Sequence, residues 1–263
     1  MNIIVCIKQV PDTTEVKLDP VTGTLIREGV PSIINPDDKA GLEAALRIKE
    51  QNGARVTVVS MGPMQADVAL REALAMGADE AYLISDRAFG GADTWATSYT
   101  IAAAIRTLDY DLIIAGRQAI DGDTAQVGPQ IAQHLGLPQV SYVEAVERVE
   151  AGSLVLRRQF EDRYHIVEVA TPCVITVLSE LNKPRYMSVS GVMDAYREKT
   201  VNVLTLAQLE SVIDKGNIGL GGSPTRVKQS FTKQPKAKGE KYEVDADEAV
   251  RLIVEWLEAR HII

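Results

Sequence analysis

Short apolar runs rich in β-branched residues alternate with longer helix-patterned segments through the first half of this chain, and no other feature limits its fold as much. Residues 3–10 read as a strand that ends at Pro11-Asp12-Thr13-Thr14. Residues 15–34 read as an irregular excursion or hairpin, with turns at Asp19-Pro20 and Thr22-Gly23. Asn35-Pro36-Asp37-Asp38 then has the composition of a helix start: a capping residue, an early proline and acids in the first turn. That helix carries Leu42, Leu46 and Ile48 to a stop at Asn52-Gly53. Residues 55–60, 81–84 and 111–115 are the next strands. Between them lie a helix carrying Val68, Leu70, Leu74 and Met76 up to Gly77, and another over residues 94–108. This order predicts an α/β fold, a Rossmann-like doubly wound parallel sheet covered by helices on both faces. Ligands of such sheets sit outside the carboxyl ends of the strands. Those ends are residues 8–13, 60–63 and 116–127, which should meet at one crevice.

From about Gln139 the texture changes. Residues 140–149, 154–160, 164–169 and 174–178 look extended, with hairpin turns at Ala151-Gly152 and Glu161-Asp162, and read as extra strands of the same domain. A loop over residues 182–189 leads to a helix around 191–198. Residues 1–200 are therefore expected to form one nucleotide-binding α/β domain, and 201–263 an arm and terminal helix. The arm, rich in Gly, Pro and Lys, spans 216–243. In the helix, Ala246, Ala249, Val250, Ile253, Trp256 and Leu257 fall on one stripe, and burying each larger member is worth roughly 1.5–3 kcal/mol. It needs a surface to cover that stripe, on its own domain or on another subunit.

The stretch that organises the crevice is residues 116–129. It follows the strand Leu112-Ile113-Ile114-Ala115, contains Gly116, Gly122 and Gly128, and opens a helix over residues 131–136. Free backbone N–H groups and the positive end of the helix dipole make such a loop a place for phosphate. Asp123 and Gln126 have capping-box spacing, and Asp121-Gly122 is turn chemistry. On these residues alone, an ordinary strand-to-helix turn remains open beside a nucleotide cradle.

A net charge of −8 argues against a general nucleic-acid or anionic-membrane binder. Lys228, Lys233, Lys236, Lys238 and Lys241 lack interleaved aromatics and read as a solvated arm. Cys6 and Cys173 lie in apolar runs, the three histidines are scattered, and no apolar stretch approaches the roughly 20 residues of a membrane span. With strand-like residues at the very start, no secretory signal is expected and the location read is cytoplasmic. Gly90-Gly91-Ala92-Asp93-Thr94 imitates the loop of enzymes that split ATP to pyrophosphate, but it follows the third strand, so a helix cap by Asp93 is the expected role. Gly219-Leu220-Gly221-Gly222-Ser223-Pro224 reads as linker, His134 as a helix-end residue and His165 as a strand residue. No acid–base or nucleophile constellation stands out, which favours a carrier whose cofactor performs the chemistry.

Taken in order, several segments are specific to one family. They are Ile3-Ile4-Val5-Cys6-Ile7-Lys8-Gln9-Val10, Asn35-Pro36, Ala73-Leu74-Ala75-Met76-Gly77-Ala78-Asp79, Gly116-Arg117-Gln118-Ala119-Ile120-Asp121 and Asn182-Lys183-Pro184-Arg185-Tyr186. Along nearly its whole length the chain resembles the β subunit of electron transfer flavoprotein. The family's strand signature runs from Arg158 to Thr176, departing at Arg163 and His165. The resemblance implies an adenine-nucleotide α-hydrolase-like fold and a heterodimer with an α subunit whose FAD exchanges electrons with acyl-CoA dehydrogenases. It also implies a β-subunit crevice holding AMP or a second FAD. Val10-Pro11-Asp12-Thr13 and the loop Asp121-Gly122-Asp123-Thr124-Ala125-Gln126-Val127-Gly128 resemble the two-FAD branch. That branch takes electrons from NADH and bifurcates them to the α-subunit FAD and to ferredoxin or flavodoxin. AMP in a non-bifurcating carrier is the alternative, and a stand-alone ATP-binding or pyrophosphatase-type protein a second. Carried over by position, the cofactor contacts are Cys6, Asn35, Asp38, Met61, Gly116, Gln118, Ala119, Asp121, Gly122, Asp123, Thr124, Ala125, Gln126 and Val127. Arg185, Tyr186 and Val189 are the implied partner contacts, with Val189 the anchor into the dehydrogenase.

Overall fold

Ile3, Ile4 and Val5 are excluded from solvent altogether because strand β1 (Asn2–Cys6) lies inside the sheet, with a strand on either side and helices on both faces. A computed structural model describes residues 1–12, 31–228 and 239–263. The reading of residues 3–10 as one strand is corrected here. Beyond Cys6 the chain turns away, because the buried carboxylate of Asp38 takes the Lys8 N–H at 2.8 Å. Residues 9–11 continue as β2 (Gln9–Pro11), paired antiparallel with β3 (Ser32–Ile34) in a separate two-stranded ribbon. The turns expected in residues 13–30 lie outside the described residues, as do Thr13 itself, Lys233, Lys236 and Lys238.

Helix α1 (Pro36–Asn52) stops where Gly53 adopts a left-handed conformation and donates its N–H to the Lys49 carbonyl. Strand β4 (Arg55–Met61), helix α2 (Asp67–Met76), strand β5 (Glu80–Ile84) and helix α3 (Thr94–Ile105) follow, then β6 (Leu112–Gly116) and α4 (Val127–Leu135). The later extended segments are β7 (Gln139–Glu150), β8 (Ser153–Gln159), β9 (Tyr164–Ala170) and β10 (Cys173–Val177). After them come α5 (Val189–Arg197) and β11 (Val201–Leu204), then two single-turn helices, α6 (Leu206–Leu209) and α7 (Gly219–Gly222). All of the strands except β2 and β3 join one nine-stranded sheet, ordered β11-β5-β4-β1-β6-β10-β7-β8-β9. Pairing is parallel from β11 through β7 and antiparallel in the β7-β8-β9 meander.

Side-chain alternation along the central strands divides the apolar residues between two layers. Ile3, Val5, Ile114 and Ile175 point to the face covered by α1, α2 and α5, where Leu42, Leu46, Leu70, Leu74 and Ala195 meet them. Ile4, Val59, Ile113 and Val174 point to the other face, against Ile101, Ile105 and Ile131 of α3 and α4. Central parallel strands buried on both sides account for the unbroken apolar runs in the sequence.

Residues 1–227 form one compact unit and 228–263 a second. The first includes β11, the sheet edge beside β5. In the second, α8 (Ala246–Glu258) is capped by the Asp245 side chain, which accepts the Glu248 N–H at 2.9 Å, and Tyr242 packs edge-on against Trp256. Among the described residues no helix is long and apolar enough to cross a membrane.

Candidate functional site

Strand order reverses at β1. The chain builds β4 and β5 outward on one side, then returns to lay β6 on the other, with Cys6 beside Ala115. The loops leaving β1 and β6 therefore diverge, and a crevice opens between them at the carboxyl edge. Asp38, in the first turn of α1, spans its floor: one carboxylate oxygen takes the Lys8 N–H at 2.8 Å and the other the Gly116 N–H at 2.9 Å. Burial pushes this carboxyl up to about 7, against the pull of those two donors. Gly116 is glycine for lack of room, since a β-carbon there would lie 2.2 Å from Asp38 Oδ1 and 2.9 Å from the Asp38 backbone nitrogen.

The loop after β6 is organised by five contacts. The Ala119 carbonyl accepts the N–H groups of Gly122 and Asp123 at 3.2 and 2.9 Å, closing a turn through Asp121-Gly122. Asn35 braces that turn from behind, donating to the Gln118 carbonyl at 2.8 Å and accepting the Ile120 N–H at 3.1 Å. Asp121 meets Lys8 Nζ at 2.6 Å. Two non-glycine residues then take left-handed backbone, Asp123 at φ 49° and Ala125 at φ 53°. Such residues cost about 1–2 kcal/mol each and persist where their surroundings impose them. Left-handed residues in close succession curl a backbone so that its N–H groups converge.

Helix α4 begins at Val127, four residues before the expected start, and the capping box is corrected as well. Gln126 occupies the N-cap but makes no side-chain cap; its Oε1 accepts from Thr94 Oγ1 at 2.8 Å, while Asp123 accepts from Gln118 Nε2. Spacing alone could not register the left-handed turn that swings Asp123 away from the helix. The consequence is a helix start left uncapped. Among the described residues, no protein group accepts the backbone N–H groups of residues 124–128. Gly128 lets this helix end sink onto the sheet, because a β-carbon there would stand 2.5 Å from Thr176 Cγ2.

The cavity in front of these groups measures about 500 Å³, within the range of small-molecule sites. Of the residues named from the sequence, Cys6, Asp38, Met61, Gly116, Gln118 and Ala119 line it, as do residues 122–127. Asn35 and Asp121 stand behind the loop and hold its shape. Val59, Ile101 and Ile131 supply an apolar wall, and Lys8 and Arg117 supply positive charge. Burial, then the Asp38 charge, pushes the Cys6 thiol up to about 12, which makes it a neutral wall residue rather than a nucleophile. Among the described residues no group of three metal-ligating side chains is found.

One wall of the cavity was not anticipated. Ala92, Asp93, Thr94 and Thr97, from the loop after β5 and the start of α3, face the loop after β6. Asp93 does cap α3, accepting the Ala96 N–H at 3.0 Å. Its other oxygen takes both the N–H and the hydroxyl of Thr225, at 3.0 and 2.7 Å, and its own N–H donates to Ser223 Oγ. The segment read as linker over residues 219–224 is thus fastened to the crevice rim, with Leu220 donating to the Gly90 carbonyl. The signal available was that β5 ends at the same edge of the sheet as β1 and β6.

Arg185, Tyr186 and Val189 lie away from the crevice. Tyr186 and Val189 are 95% and 81% exposed. Arg185 turns inward instead, onto Glu43 and Glu50 of α1. His134 ends α4 with its ring edge-on to Trp95 and Tyr99, and His165 stacks on Phe160 in the β8-β9 hairpin.

Fold and crevice together define a doubly wound α/β protein with a cavity at its topological switch point. The electron transfer flavoprotein domain matches residues 22–209. The chain is 60% identical, over the full length of both chains, to electron transfer flavoprotein subunit beta of Clostridium acetobutylicum. It is 55% identical to the caffeyl-CoA reductase-Etf complex subunit CarD of Acetobacterium woodii, and 48% to the acryloyl-CoA reductase electron transfer subunit gamma of Anaerotignum propionicum, again end to end. The chain belongs to the electron transfer flavoprotein family, as a β subunit.

Proposed function

We propose that this β subunit holds FAD in the crevice after β6 and works in the cytoplasm as half of a heterodimer with an electron transfer flavoprotein α subunit. The observation that carries the reading is the row of N–H groups over residues 124–128, which no group among the described residues accepts and which lie at a helix start beside a cavity with an apolar wall. Such a row suits a diphosphate, and the wall of Val59, Ile101 and Ile131 suits a flat apolar ring. Thr124 and the backbone would hold the diphosphate, Asn35 and Asp121 would fix the loop, and Lys8 and Arg117 would offset its charge. FAD held there would supply the redox chemistry, two-electron oxidation of NADH coupled to single-electron transfer towards the α-subunit FAD and towards ferredoxin or flavodoxin. This chain's residues bind and orient the group; none need act as acid or base. Similarity to subunits named for caffeyl-CoA and acryloyl-CoA reductases supports a partner that acts on acyl-CoA thioesters, such as an acyl-CoA dehydrogenase.

The same N–H groups would also suit AMP, whose phosphate needs fewer of them. Releasing ligands from purified heterodimer and quantifying them separates the two. Two FAD per heterodimer is the expected result. One FAD with one AMP overturns bifurcation and leaves an ordinary carrier.

The loop between β10 and α5, bonded to α1 through Arg185, offers the docking surface. Tyr186, Met187 and Val189 form an exposed apolar tip, and a patch of that kind marks an interaction site. We assign the acyl-CoA dehydrogenase to that tip, with the arm and α8 reaching the α subunit.

A further inference from the structure

Exposed loops that carry apolar side chains are ordinarily mobile, yet residues 182–188 are pinned at both ends. At the far end Ser188 caps α5, accepting the Gly191 N–H at 2.9 Å, and Gly191 lies so close to α2 that a β-carbon would meet the Ala75 carbonyl oxygen at 2.3 Å. At the near end Arg185 does the pinning. Its backbone N–H and Nε donate to Glu43 Oε2 at 3.1 and 2.8 Å, and Nη2 donates to Glu43 Oε1 and Glu50 Oε2, both at 3.2 Å. Nη1 adds a further bond to Glu50 Oε1. Glu43 is almost wholly buried and also accepts from Arg47 Nε at 2.9 Å. Burial by itself would raise the Glu43 carboxyl, but the Arg185 and Arg47 hydrogen bonds outweigh it and leave it below the ordinary glutamate range. A buried carboxylate with this many charged donors is a fixed point on α1, and the loop is hung from it.

We propose that Arg185 is a positioning residue: the Glu43–Arg185–Glu50 clamp holds the loop so that Tyr186 and Val189 already stand in the arrangement their flavoprotein partner binds. The inference rests on the docking role assigned to the tip above. Its physical content is preorganisation, since a tip held in its bound shape avoids the cost of ordering side chains and loop on association. Arginine suits the clamp because its planar fork offers five donors in fixed directions to the two carboxylates, whereas lysine offers a compact point charge with three.

The test uses the assembled α/β heterodimer and steady-state electron transfer with its acyl-CoA dehydrogenase as the varied partner. Arg185→Gln should raise KM for the dehydrogenase about tenfold with kcat retained, and Arg185→Lys should fall between it and the parent. Val189→Asp should raise KM further. The double variant should be no worse than Val189→Asp alone, because Arg185 acts only through the tip. Glu50→Gln, at the exposed end of the clamp, gives a smaller rise in the same direction and serves if Arg185→Gln does not fold. An unchanged KM in Arg185→Gln, a fall in kcat in its place, or a double variant showing the full product of the two effects overturns the proposal. If Val189→Asp alone leaves KM unchanged, the docking assignment itself fails, and the clamp proposal with it.

Discussion

Replacing Gly116 with alanine is expected to strip the crevice of its adenine nucleotide. The added β-carbon would overlap Asp38 Oδ1 at 2.2 Å and crowd the Asp38 backbone nitrogen at 2.9 Å, so neither a rotamer change nor a small shift of Asp38 makes room. The Gly116 N–H bond to Asp38 would break, and the loop that starts at this residue would lift from the floor it shares with β1. Overpacking of this kind costs about 1–3 kcal/mol. Spent on loop position, it lowers nucleotide affinity by up to roughly 100-fold. Ligand released from purified heterodimer measures the effect, with Gly221→Ala as the control, since a β-carbon there meets nothing within 4 Å. Full occupancy in Gly116→Ala would contradict the account of the floor.

The second large effect belongs to the docking tip. Val189→Asp places a charge on a side chain that is 81% exposed in the free subunit, so folding should be untouched. An apolar anchor of an interface is worth about 2 kcal/mol or more, and a desolvated carboxylate in its place adds a further penalty. KM for the dehydrogenase should therefore rise at least about thirtyfold, while nucleotide content and melting temperature stay at parent values. A parent-like KM would remove the tip from the interface.

The layers were legible because burial on both sides leaves a plain mark. Ile3-Ile4-Val5 and Leu112-Ile113-Ile114 are apolar without alternation, as central parallel strands are. The helix stops at Gly53 and Gly136 were legible for a local reason, the left-handed conformation that glycine adopts freely. What escaped was set by residues far apart in the chain. Nothing near Lys8 announces that Asp38 will capture its N–H and end β1 early. Asn35 looked like a helix cap, but its side chain is committed to the loop 83 residues on. The cap by Asp93 is legible from its neighbours; that its second oxygen holds Thr225 depends on where the sheet edge places residues 219–225. The ion pairs of Arg185 with two acids of α1, 142 and 135 residues away, are likewise invisible from its neighbours in the chain. Local chemistry was readable, and long-range pairing was not.

The proposed function depends on the N–H groups over residues 124–128 gripping the diphosphate of an adenine-containing prosthetic group. A crystal structure of the heterodimer as purified should show phosphate oxygens about 3 Å from these nitrogens, with the adenine-bearing group lying in the crevice between β1 and β6. A nucleotide bound elsewhere, with residues 124–128 facing only water or side chains, would contradict it.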